Sequence, residues 1–144
     1  MNTEKIILSS SEEETEEVGF NLAKSLPRGS VVLLYGNLGA GKTVFARGFA
    51  RGLGVEDSVS SPTYTIAQEY PIEGGRLYHL DLYRINDEEA GLAFGVDEFL
   101  DDKKSYSLLE WPDRIKGLLP DTLTKVELTH LEEGKREIKI THVC

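Results

Sequence analysis

Residues 31–45, VVLLYGNLGAGKTVF, restrict the fold more than any other part of the chain. A run of valine and leucine, long enough for one strand, stops at Gly36. Gly41-Lys42-Thr43 then opens a second pattern, with Val44, Phe45, Phe49 and Leu53 on or near one helical face. A strand that is apolar at every position is buried on both faces, as in parallel sheets covered by helices. Gly36-Asn37-Leu38-Gly39-Ala40-Gly41-Lys42-Thr43 also matches G-x-x-x-x-G-K-[ST]. Small residues let successive backbone N–H groups turn inward around phosphate oxygens, and the helix that follows offers them its positive end. Lys42 supplies a compact cation for the β- and γ-phosphates, and the Thr43 hydroxyl can ligate Mg2+.

The rest of the chain fits around this unit. KIIL (5–8) reads as a short strand and residues 11–26 as a helix, with Ser11 and Glu14 at capping-box spacing. TYTIAQEY (63–70) and RLYHLDLYRI (76–85) read as strands joined by the turn-forming PIEGG. Residues 86–102 give helical pieces broken by Gly91 and Gly95, SYSLLE (105–110) is another apolar strand, and WPDRIKGLL starts a short helix at Pro112. TKVELTHLEEGKREIKITHV is a hairpin with Val126, Leu128, Ile138 and Ile140 facing inward. The order predicts a three-layer α/β domain spanning residues 1–144, with a largely parallel centre and an antiparallel side.

A phosphate loop needs acidic help for its metal. Asp81 in LYHLDLYR and Glu110 in SLLEW end apolar strands, and either can hold Mg2+ or orient an attacking water. His79 precedes Asp81 by two residues, so in a strand the two share a face. It can support the metal site or be a packed core histidine. SSPTYT (60–65) lies where nucleotide hydrolases carry a switch segment, and Thr63 has the hydroxyl for such a contact. Trp111 follows Glu110 and can cover a nucleotide or a partner, or anchor the core.

With 144 residues the chain suits one domain. Its formal net charge of −9 opposes autonomous binding to a nucleic-acid backbone. The single cysteine, Cys144, can form no internal disulfide, which fits a reducing cytosol. No signal peptide and no membrane-length apolar run are read from the sequence, so a cytoplasmic location is expected.

GNLGAGKT, SSPTYT, YHLDLYR and LLEWPDR, in this order in a chain this short, resemble the bacterial TsaE family, also called YjeE. The resemblance covers essentially the whole chain. Asn37 stands where that family commonly has Asp. The resemblance implies a P-loop NTPase-like fold and a cytosolic ATPase required for N6-threonylcarbamoylation of adenosine 37 in tRNA. It implies TsaB and TsaD as partners, with tRNA met only through that complex, and ATP with Mg2+ as cofactors. Carried over by residue, Lys42 and Thr43 bind phosphate and Mg2+, Thr63 belongs to the switch-like segment, and Asp81 and Glu110 are the acids at metal and water. Trp111 is the aromatic neighbour, while Thr15 and Arg136 come near the base or sugar. The loop residues Gly36, Asn37, Leu38, Gly39, Ala40 and Gly41 form the cradle.

Two other readings compete with this one. A small-molecule kinase would need an arginine-bearing lid to shield the transfer from water. Arg47 and Arg51 lie on the loop's own helix and Arg84 and Arg114 are isolated, so no arginine-rich insertion is present. A module holding nucleotide only as a structural ligand would not need both Asp81 and Glu110. No Asn-Lys-x-Asp segment for guanine is present, which favours ATP.

Overall fold

The computed structural model describes residues 2–36, 41–56 and 67–144. The chain begins with β1 (Thr3–Ser9), α1 (Glu12–Ser25), β2 (Val31–Gly36) and α2 (Lys42–Gly52). A hairpin of β3 (Ala67–Ile72) and β4 (Gly75–Asp81) comes next, then α3 (Glu88–Phe94), α4 (Val96–Leu100) and β5 (Tyr106–Glu110). A 3-10 helix (Pro112–Leu118) leads to the closing pair β6 (Leu123–His130) and β7 (Arg136–Val143).

These strands form one sheet in the order β1-β7-β6-β2-β5-β4-β3. The four central strands, β6, β2, β5 and β4, are parallel. Antiparallel strands flank them on both sides: β7 and β1 at one edge, β3 at the other. The expected single antiparallel side is therefore two, because the β3–β4 hairpin turns its second strand into the parallel centre.

Alternation sorts the core into two faces. Val32, Leu34, Leu108, Val126 and Ile138 pack with Phe45 and Phe49 of α2 and Leu22 of α1. Val31, Leu33, Leu80 and Leu109 pack on the opposite face with Val96, Leu100 and Ile115. The hairpin register pairs Val126 with Ile140 and Leu128 with Ile138, all four buried, as the alternation predicted.

Local structure differs from the sequence reading at several points. β4 ends at Asp81 rather than at residue 85, because the Asp81 carboxylate accepts the Tyr83 N–H at 3.0 Å and turns the chain out of the sheet. The β3–β4 turn is only Glu73-Gly74, since Pro71 and Ile72 still pair with Arg76 and Gly75. Pro71 is tolerated there because β3 is an edge strand. Gly91 does not break a helix: it is buried inside α3, and the break falls at Gly95, with φ of 95°. Ser11 caps α1 as expected, accepting from Glu14 N–H at 3.2 Å, but the Glu14 carboxylate reaches back to Ser10 N–H at 3.0 Å.

Candidate functional site

The parallel centre of the sheet sets where chemistry can gather. β2, β4 and β5 all run the same way, so their C-terminal ends and the N-terminus of α2 meet at one edge, the usual place for a ligand in such sheets. Gly41 caps α2 at φ of 97°, which glycine adopts without Cβ strain, and no side chain caps the helix. Gly41 has no side chain to occupy the helix N-terminus, where first-turn N–H groups suit an anion. Lys42 and Thr43 are the first two residues of α2.

Asp81 and Glu110 are register partners on adjacent parallel strands, so they stand side by side on one face. Leu34 of β2 lies opposite Glu110 on the other side. Glu110 is 4 % exposed. Lys42 Nζ is 3.6 Å from its Oε1, and His79 Nε2 is 2.8 Å from its Oε2. Burial by itself pushes the Glu110 carboxyl up. The His79 hydrogen bond, with Lys42 behind it, outweighs that and holds it below the usual glutamate range.

Trp111 follows with φ of 59°, a left-handed conformation that a non-glycine residue holds at a cost. That turn leaves the indole 45 % exposed, with the Lys42 ammonium 5.3 Å from its ring centroid. Tyr83 meets it edge-on at 5.0 Å, and the Arg114 guanidinium lies over both rings. A cavity of about 290 Å³ opens here, walled by Tyr35, Gly36, Lys42, Trp111, Asp113 and Arg114. Burial, then the Asp113 carboxylate 3.4 Å away, push the Tyr35 phenol up to about 12. Larger hollows of about 570 and 580 Å³ lie between α1 and the β1 flank and at the N-terminal ends of the strands. Neither is lined by Lys42, Asp81 or Glu110, so chemistry rather than size selects the site.

Thr15 and Arg136 come from distant elements, yet both reach Gly41. A Cβ on that glycine would stand 2.9 Å from Arg136 Nε and 3.7 Å from Thr15 Cγ2. Thr15 is 1 % exposed. Ser9 Oγ donates to the Ser11 carbonyl, so Thr15 donates its own hydroxyl hydrogen to Ser9 Oγ at 2.6 Å. Arg136 Nη1 donates to the Gly134 carbonyl at 3.1 Å. The structure thus gathers Gly36, Gly41, Lys42, Thr43, Asp81, Glu110, Trp111, Thr15 and Arg136 around one strand-end edge. Asn37, Leu38, Gly39, Ala40 and Thr63 lie outside the described residues.

The sequence reading did not single out Ser9, Tyr35, Tyr83 or Asp113. Tyr35 carried a signal, since it alternates with Leu34 at the end of β2 and so faces the opposite side. Ser9 carried none, because its contact depends on how β1 meets α1. Among the described residues no three His, Cys, Asp or Glu side chains form a ready-made metal cluster, and no helix is long and apolar enough to cross a membrane.

The family model described as threonylcarbamoyl adenosine biosynthesis protein TsaE matches residues 9–138. A Bacillus subtilis protein named tRNA threonylcarbamoyladenosine biosynthesis protein TsaE is 40% identical over 131 residues, covering 91% of this chain and 81% of its own. The protein of that name from Rickettsia bellii is 37% identical over 99% of this chain and 96% of its own. The crystal structure of Bacillus subtilis YdiB superposes with a TM-score of 0.80 at 32% identity, covering all of this chain and 88% of the other. The fold is the P-loop NTPase-like three-layer arrangement expected of the sequence.

Proposed function

This chain belongs to the TsaE family, and from that premise we propose that it is a Mg2+-dependent ATP hydrolase serving tRNA threonylcarbamoyladenosine biosynthesis through a TsaB–TsaD complex. One observation carries the reading. Lys42 at the start of α2, Glu110 at the end of β5 and Asp81 at the end of β4 converge on one edge of the sheet.

The residues fit magnesium. It takes oxygen ligands and is usually held by one or two carboxylates together with substrate phosphates and water, so a closed protein cage is not required. Thr43, Asp81 and Glu110 offer oxygen donors and would hold it. When bound, the ion neutralises charge on the β- and γ-phosphate oxygens.

The chain's own groups do the rest. Phosphates enter at the N-terminus of α2, and Lys42 exchanges its contact with Glu110 for phosphate oxygens. A carboxylate held below its usual range is a weak proton store, so Glu110 acts by charge and by orienting water. Water adds to the γ-phosphorus while the bond to the bridging oxygen breaks, leaving ADP and inorganic phosphate. Trp111 flanks the phosphate end, Thr15 and Arg136 border Gly41, and Thr63 belongs to the switch-like segment.

TsaB and TsaD are the proposed readers of hydrolysis. An acidic chain at −9 offers little to a polyanion, so tRNA is met through the complex. Phosphate release from Mg-ATP tests the reading, measured alone and with TsaB–TsaD. The expected result is a low rate alone, a higher one with the partners, and a loss of about 100-fold in Lys42→Ala and Glu110→Ala. A rate indifferent to both substitutions would refute the hydrolase. A phosphorylated acceptor in place of free phosphate would make the chain a small-molecule kinase.

A further inference from the structure

Resting on the hydrolase reading of this site, we infer that His79 is a positioning residue for Glu110: it ties down Oε2 from within the sheet and leaves Oε1 for the metal and water.

His79 sits on β4, fully buried, next to Leu108 of β5 in register. Its Nε2 is 2.8 Å from Glu110 Oε2, while Lys42 meets the other oxygen, Oε1. The carboxylate therefore has one oxygen turned to the sheet and one turned to α2. His79 Nδ1 is buried without a hydrogen-bond partner. This fixes where the ring carries its hydrogen. A hydrogen on Nδ1 would bury an orphan donor and set the Nε2 lone pair against a carboxylate lone pair. The hydrogen is on Nε2, and Nε2 donates to Oε2.

A contribution to stability does not account for this pair. Replacing a buried ionic or polar pair with apolar residues of similar size is often neutral or stabilising. The neighbouring positions Leu77, Val32 and Leu108 are filled that way, with no exposed surface. His79 adds a further cost through its orphan nitrogen. What the pair supplies is orientation. When Lys42 turns to phosphate, Oε1 loses that neighbour, and the His79 contact between adjacent strands still holds the carboxylate plane. Groups behind a ligand that set its orientation commonly matter as much as the ligand does.

The test uses the full chain with His79→Gln, whose amide donates near the Nε2 position, and His79→Leu, which fills similar space without a donor. Four readouts are taken: kcat and KM for Mg-ATP, ATP binding with and without Mg2+, the melting temperature, and the 15N shifts of the His79 ring. The expectation is a kcat loss of about 10- to 100-fold in His79→Leu, with metal-free ATP binding unchanged and the Mg2+-dependent gain in binding reduced. His79→Gln should recover most of both, and the ring should carry its hydrogen on Nε2. A hydrogen on Nδ1 would overturn the inference, as would wild-type kcat and Mg2+ dependence in His79→Leu. Equal losses in both variants that track the melting temperature would make the role merely structural. If wild type releases no phosphate, the hydrolase reading fails. The shifts and the Mg2+ dependence of binding then decide His79 alone.

Discussion

Glu110 is the residue on which most of the site's physics bears. It is buried, so it needs partners, and its two oxygens are shared between a lysine and a histidine. Its folded carboxyl is held below the usual glutamate value of 4.5. A depressed carboxyl contributes stability that is complete above the unfolded value and is lost as pH falls through the lower folded one. Carboxyl 13C titration should therefore place Glu110 below the exposed glutamates. Lys42→Met should move it upward while leaving His79 in place. A Glu110 midpoint at or above the ordinary value would contradict the described geometry.

At the scale of elements, the crossing of α1 on α2 decides how the N-terminus of α2 is held. The two helices touch backbone to backbone through glycines. A Cβ on Gly48 would lie 1.9 Å from the Glu16 carbonyl oxygen, and one on Gly19 would lie 2.4 Å from that of Phe45. Real contacts of that length do not exist, so a methyl group must push the helices apart. Gly48→Ala should cost about 1–3 kcal/mol or more, read as a lower urea midpoint, although alanine is the better helix former. The same separation would draw Thr15 of α1 away from Gly41, so weaker nucleotide binding should accompany the loss. Unchanged stability in Gly48→Ala would mean the helices do not cross as described.

For the whole molecule, the sheet divides the labour. Helix α1 and the antiparallel strand β7 bring Thr15 and Arg136 to Gly41 from opposite ends of the chain, and the parallel centre brings the acids. Nucleotide should thus act as a brace across the fold. A ligand bound only by the native state adds RT ln(1 + [L]/Kd). Mg-ADP at a hundredfold excess over its dissociation constant should raise the melting temperature by roughly 5–10 °C. The rise should vanish in Lys42→Ala. A rise preserved in that variant would put the nucleotide elsewhere.

Sequence by itself determined the pieces whose physics is local. The apolar run of β2 required two-sided burial, and alternation gave the final hairpin its inward face. Glu110 stood out because it ends an apolar strand, and β5 does end there; Asp81 lay within a strand read to residue 85, and the structure ends β4 at it. Only the tertiary structure decided which residues far apart in the chain share a site. Strand order set Asp81 beside Glu110, and the path of β7 laid Arg136 over Gly41. His79 could be placed on the face of Asp81 from spacing, but its bond to Glu110 spans two strands. Nothing local chose between core packing and site support. Strand register is a long-range agreement between hydrophobic faces, so no window of sequence contains it.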